Sequence, residues 1–222
     1  MKDDRLRANI LGIRLISNVS DDLAKALELG PRHKSLGLIT ADSDDVTYTA
    51  LDQATKDADV EVVYAKSMYA GAANASTKLA GEVIGIIAGP SPSEVRSGMN
   101  AVVSFLEQGP SFISANEDDS IVYFAHTVSR TGSYLSKIAG IREGEALAYL
   151  IAPPLEAIYG LDAALKAADV TMVTFYGPPS ETNFGGGLLT GTQSACKAAC
   201  TAFAQAVCQI LNKRRKSHGI KR

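Results

Sequence analysis

Four carboxylates carry the most chemistry in this chain. Asp42, Asp44 and Asp45 crowd the end of a predicted strand, where a helix begins, and Glu82 follows a run of small residues. One aspartate is enough to cap a helix, so three are more than a cap needs. The cluster lacks the glycine and the closing glutamate of an EF-hand loop, which argues against calcium. A negative patch of Asp44, Asp45 and Glu82 would attract a small ammonium ion or a divalent metal.

Other reactive side chains fall short of a site. Cys196, Cys200 and Cys208 form no CxxC pair. Cys196 and Cys200 share one helix face, where small buried residues are expected, so no metal is firmly predicted. His126 and Arg130 have no serine-histidine-acid or metal-ligand spacing around them. Gly85 and Gly89 are not followed by the Gly-Lys-Ser/Thr of a phosphate loop. No catalytic residue is therefore assigned. Net charge is −2, so the bulk of the chain has no nucleic-acid footprint. The basic end, Lys213-Arg214-Arg215-Lys216, reads as a solvated terminus. No apolar run approaches the ~20 residues that span a bilayer, and the opening residues lack a signal core, so neither membrane nor export is expected.

The elements that position these residues are written twice. Leu51-Asp52-Gln53-Ala54-Thr55-Lys56-Asp57-Ala58-Asp59-Val60 matches Leu161-Asp162-Ala163-Ala164-Leu165-Lys166-Ala167-Ala168-Asp169-Val170, 110 positions on. Further along, Gly89 answers Gly191 at an offset of 102, so the first copy carries eight extra residues before that glycine. Each copy reads strand, helix, strand, helix, strand, strand, helix, with expected domains 1–110 and 111–222. The predicted strands include 9–16, 35–40, 60–65 and 83–88, and in the second copy 121–128, 146–151, 170–176 and 187–189. Predicted helices cover 21–29, 46–57, 92–108, 133–139, 154–167 and 193–212. The expected class is α/β (α+β), a sheet with helices packed on one face. Alanines at 195, 198, 199, 202, 204 and 206 keep the last helix slim. The two stretches that follow the repeated Asp-Val strand, Tyr69–Gly81 and Gly177–Gly187, are rich in glycine and small residues. They read as paired surface loops of unequal length.

Gly185-Gly186-Gly187-Leu188-Leu189-Thr190-Gly191, with Ala195-Cys196-Lys197-Ala198-Ala199 after it, resembles the pore loop and following helix of bacterial microcompartment shell proteins. Ala164-Leu165-Lys166-Ala167-Ala168-Asp169-Val170 resembles their first helix and next strand. Each half opens on a strand that single-domain members carry at their C-terminus, so each copy resembles a circularly permuted, ferredoxin-like shell domain. The stretches 35–48, 129–134 and 152–157 match the tandem permuted type found in ethanolamine-utilization compartments, and the resemblance runs from about residue 5 to 212.

The resemblance implies a structural protein of the microcompartment shell, in the cytoplasm, and not an enzyme. Three tandem chains would form a homotrimer of pseudohexameric shape that meets other shell proteins edge to edge. A central pore would pass substrates or cofactors, with Tyr69, Ala70, Gly71, Ala72, Ala73 and Asn74 of one loop and Glu181, Thr182, Asn183, Phe184, Gly185 and Gly186 of the other lining it. No cofactor would be required; ethanolamine, a divalent metal or a corrinoid would be the bound ligands to seek. The rival reading is a soluble two-domain module that senses a small amine.

Overall fold

The computed structural model describes residues 3–67, 83–178 and 184–218, the last eight as backbone alone. In chain order the elements are β1 (Arg5–Leu6), β2 (Ile10–Ile16), α1 (Asp21–Ala26), β3 (Ser35–Ala41), α2 (Asp44–Asp57), β4 (Glu61–Ser67), β5 (Val83–Gly89) and α3 (Pro92–Gln108). Then follow β6 (Phe112–Ser114), β7 (Val122–Val128), α4 (Ser133–Ala139), β8 (Ala146–Ala152), α5 (Pro154–Ala167), β9 (Val170–Tyr176), β10 (Gly185–Gly191) and α6 (Gln193–His218). The order expected of each half is present. The short β1 and β6 were not expected. They are too brief to show alternation, and they pair with each other, Arg5 opposite Ile113.

Two compact units result. The first, here the N-terminal unit, holds Arg7–Pro110 together with Thr131–Ile138. The C-terminal unit holds the described residues up to Leu6, with Ser111–Arg130 and the chain from Ala139 onward. The division therefore exchanges two segments across the expected boundary at 110.

The N-terminal unit has a four-stranded antiparallel sheet, ordered β2-β3-β5-β4. Apolar side chains of α2 and α3, such as Leu51, Val95 and Met99, are buried on one face. The other face is covered too. Leu36, Ile86 and Ala88 pack with Val19, Ala24 and Leu27 of the α1 segment. Helices on one face describes α2 and α3; α1 takes the opposite side. It also ends at Ala26 rather than Leu29, because Glu28 turns to a φ of 52° that a helix cannot continue.

In the C-terminal unit β7-β8-β10-β9 repeat the same order, extended by β1-β6 at one edge. Ala148, Leu150 and Leu189 of the sheet meet Ala157, Leu161 and Ala164 of α5 and Cys196, Ala199, Phe203 and Val207 of α6. The small residues let the two helices lie close. Phe203 fills the space that Gly160 leaves, where a Cβ would stand 2.7 Å from its ring. Emptying that site by Phe203→Ala would cost about 3–5 kcal/mol.

Candidate functional site

The acidic residues divide by task. Asp42 is engaged locally: it accepts the Asn9 backbone N–H at 2.6 Å and the Asn9 side-chain amide at 2.7 Å. Asp44 and Asp45 are not caps outside the helix, as expected, but its first two residues. Ser43 holds the cap position without a side-chain cap bond. The Asp44 carboxylate instead accepts the Asp45 N–H at 2.8 Å, satisfying an otherwise orphaned helix donor. Its second oxygen accepts the Ser67 hydroxyl at 2.8 Å. Ser67 has one proton, so the 2.5 Å contact between Ser67 and Tyr48 is donated by the Tyr48 phenol. A relay Tyr48 to Ser67 to Asp44 results. Asp45, also buried, lies beside it, with its carbonyl held by the Thr49 hydroxyl at 2.9 Å.

The strands explain why these residues meet. Val83 pairs with both Ala41 and Ser67, so the end of β3, the end of β4 and the start of β5 converge at the N-terminus of α2. Two buried carboxylates thus sit beside the point where residues 68–82 leave and rejoin the sheet. Glu82 and the first expected pore loop, Tyr69, Ala70, Gly71, Ala72, Ala73 and Asn74 included, lie outside the described residues. The helix N-terminus stabilises negative charge, and the pair can accept hydrogen bonds from an ammonium group.

The second loop is partly described; Glu181, Thr182 and Asn183 lie outside. Phe184 packs its ring edge-on against Phe112, with centroids 5.8 Å apart, and Phe112 in turn contacts Phe124 at 5.5 Å. Gly185 and Gly186 belong to β10 rather than to a loop, paired with Ala152 and Ile151. Gly186 admits no side chain: a Cβ would stand 1.9 Å from the Leu150 carbonyl oxygen.

The cysteines are core groups. Burial raises the Cys196 thiol and pushes Cys200 up to about 11, so both carry their protons at neutral pH. Among the described residues no group of three histidine, cysteine or acidic side chains could hold a metal. His126 lies on β7 against Phe124, with ring centroids 5.8 Å apart. No described helix is long and apolar enough to cross a membrane.

Sequence reasoning missed Ser67 and Tyr48, and above all Asp52. Fully buried, Asp52 accepts the N–H groups of Gly132 and Leu135, both at 2.8 Å. Thr55 Oγ1 accepts the Ser133 N–H at 3.1 Å. Gly132 is required there, because a Cβ would lie 2.2 Å from Thr55 Oγ1. These bonds seat Thr131–Ile138 on α2.

The family model of the BMC domain matches residues 35–117. The chain is 74% identical over 207 residues to the bacterial microcompartment shell protein EutL of Clostridium perfringens, covering 93% of this chain and 95% of that one. It is 55% identical over 207 residues to EutL of Salmonella typhimurium, covering 93% and 94%. The crystal structure of EutL from Leptotrichia buccalis superposes with a TM-score of 0.93 at 70% identity, over 96% of this chain and 98% of that one.

Proposed function

The chain belongs to the EutL family of bacterial microcompartment shell proteins, and on that premise we propose that it builds the shell as a homotrimeric, pseudohexameric tile. Its role is structural, in the shell of an ethanolamine-utilization microcompartment within the cytoplasm, and not that of an enzyme. The observation that carries the tile is the doubled sheet order, β2-β3-β5-β4 in one unit and β7-β8-β10-β9 in the other. Two equivalent domains in one chain let three chains close a ring of six. Tiles of this shape meet other shell proteins at their edges. The segments 69–81 and 177–187 are the candidates for lining and gating the central passage. The test is mass by sedimentation equilibrium, joined to electron microscopy of the overexpressed protein. Three-chain particles that grow into flat sheets support the tile; monomers that never form sheets overturn it.

Ethanolamine is the ligand that the acidic pair fits. The buried carboxylates of Asp44 and Asp45 offer an ammonium group charge-assisted acceptors beside the first loop. A divalent metal is the competing occupant, and a corrinoid is a candidate for the passage itself. Calorimetric titration of the intact protein with ethanolamine, and separately with zinc, distinguishes the first two. Asp45→Asn weakens ethanolamine binding by about tenfold or more, which corresponds to one lost charge-assisted bond. An affinity unchanged by that substitution, or a parent that binds zinc alone, overturns the assignment.

A further inference from the structure

We infer that the outer face of α5, formed by Leu155, Ile158, Tyr159 and Asp162, receives the segment 20–27 of a second copy of this chain, as α2 receives Thr131–Ile138 within the N-terminal unit. The inference rests on the trimeric reading and names the surfaces that make it.

The internal repeat shows what is uncovered. On α2, Tyr48, Asp52 and Thr55 meet the segment at 132–135: rings of Tyr48 and Tyr134 at 6.3 Å, and the N–H groups of Gly132, Leu135 and Ser133 on Asp52 and Thr55. On α5 the same positions, 110 further on, are Ile158, Asp162 and Leu165. Here Ile158 is 45% and Leu155 55% exposed, and Tyr159 is exposed beside them. Spacings of three, four and seven residues put Leu155, Ile158, Tyr159 and Asp162 on one helix face. A contiguous exposed apolar stripe of this kind marks a contact site.

The repeat also identifies the occupant. Ile16 lies opposite Leu36, and Val128 lies opposite Leu147, each partner being the second residue of its strand. This register equates Ser20 with Gly132, Leu23 with Leu135 and Lys25 with Lys137. Leu135, seated on α2, is 1% exposed, whereas Leu23 is 39% exposed. Ala24 and Leu27 are already committed to their own sheet, which leaves Leu23 on the outward side of the segment. Leu23 and Ile158 are both exposed, so each is open to cover by a second copy. Asp21 and Asp22 bring negative charge towards Asp162, whose own charge is already balanced by Lys166 at 2.6 Å.

The test uses the full chain. Leu23→Glu and Ile158→Glu both alter exposed side chains, so circular dichroism should show the parent fold. Each variant should raise the dissociation constant of the trimer by about tenfold or more, measured by sedimentation, because a buried unpaired charge strikes a central contact. Leu23→Cys combined with Asp162→Cys should form a disulfide between chains on oxidation, absent from either single variant. A parent that is trimeric while both glutamate variants stay equally trimeric, or a trimer in which the cysteine pair never links two chains, overturns this contact and leaves the tile standing. A monomeric parent overturns the tile itself.

Discussion

Helices α2 and α5 share a frame yet end in opposite surroundings. Asp52 and Asp162 occupy the same place in the repeat, four residues before Lys56 and Lys166. Asp52 is 0% exposed and serves as acceptor for two backbone N–H groups. Asp162 is 61% exposed and touches Lys166 in solvent. The difference teaches that the role of a carboxylate was decided by which distant segment reached it, not by its own helix. Duplication supplied two equal acceptors, and chain connectivity delivered a partner from positions 131–138 to one of them.

The largest expected effect separates these two aspartates. Asp52→Ala orphans the Gly132 and Leu135 N–H groups and unseats the segment they belong to. Its cost should be about 3–5 kcal/mol, as when a buried charged partner is removed. Asp162→Ala, made in the dissociated Ile158→Glu background, should stay within about 0.5 kcal/mol, as exposed substitutions do. Urea denaturation followed by circular dichroism reads both at one protein concentration. Equal losses would break the comparison. A larger Asp162→Ala loss in the trimer than in the dissociated chain would sharpen it, since the increment belongs to the second copy.

A second contrast concerns the last helix of each unit. Counted from the equivalent caps Ser91 and Thr192, which accept the Glu94 and Ala195 N–H groups, Cys200 of α6 stands where α3 carries Met99. Tyr123 of β7 stands where β2 carries Leu11, in the register that equates Ile16 with Val128. Burial pushes the Cys200 thiol from 9.0 to about 11 and the Tyr123 phenol from 10.0 to about 12. The unfolded thiol loses its proton first as pH rises. Its contribution to stability is therefore intact below pH 9, and it is lost as pH climbs through the folded value near 11. The loss at pH 10 should be about 1.4 kcal/mol, one pKa unit's worth. Tyr123 adds a loss of the same sign at still higher pH. Cys200→Ala should flatten the stability profile between pH 8 and 11, and Met99→Leu should leave its slope unchanged. A slope indifferent to Cys200→Ala would show that the thiol does not set it.

Much of the architecture was legible because hydrophobic periodicity and a 110-residue repeat are local signals. Helices α3, α4 and α5 begin and end where the sequence places them. Helix α2 starts two residues before the expected position 46, because Asp44 and Asp45, expected as caps, are themselves helical. Glycines 185 and 186 read as loop, yet they pair as strand because the Leu150 carbonyl requires a bare backbone beside Gly186. The acidic pair was visible as residue types, but Ser67 became part of it only through strand pairing across β4 and β5. Asp52 was hidden for the opposite reason. Its repeat partner is the same residue in the same local frame, and nothing near it in sequence announces Gly132.

The smallest expected effect lies in the lysines, where distance and burial point in opposite directions. Lys166 Nζ is 2.6 Å from Asp162, the closer pair, and both side chains are well exposed. Lys56 Nζ is 3.4 Å from Asp52, with the lysine 20% exposed and the aspartate buried. Water and salt screen the exposed pair, so its short distance counts for little. Asp52 has no solvent to replace a lost cation, so the longer contact matters more. Lys56→Met should cost about 1 kcal/mol, and Lys166→Met in the dissociated background at most about 0.5 kcal/mol. Raising sodium chloride to about 0.5 M shortens the screening length to a few ångströms, which should erase the Lys166 effect and leave most of the Lys56 effect. If Lys166→Met costs as much as Lys56→Met, or if both vanish equally with salt, then burial does not separate the two helices, and the contrast between Asp52 and Asp162 must rest on the backbone N–H groups alone.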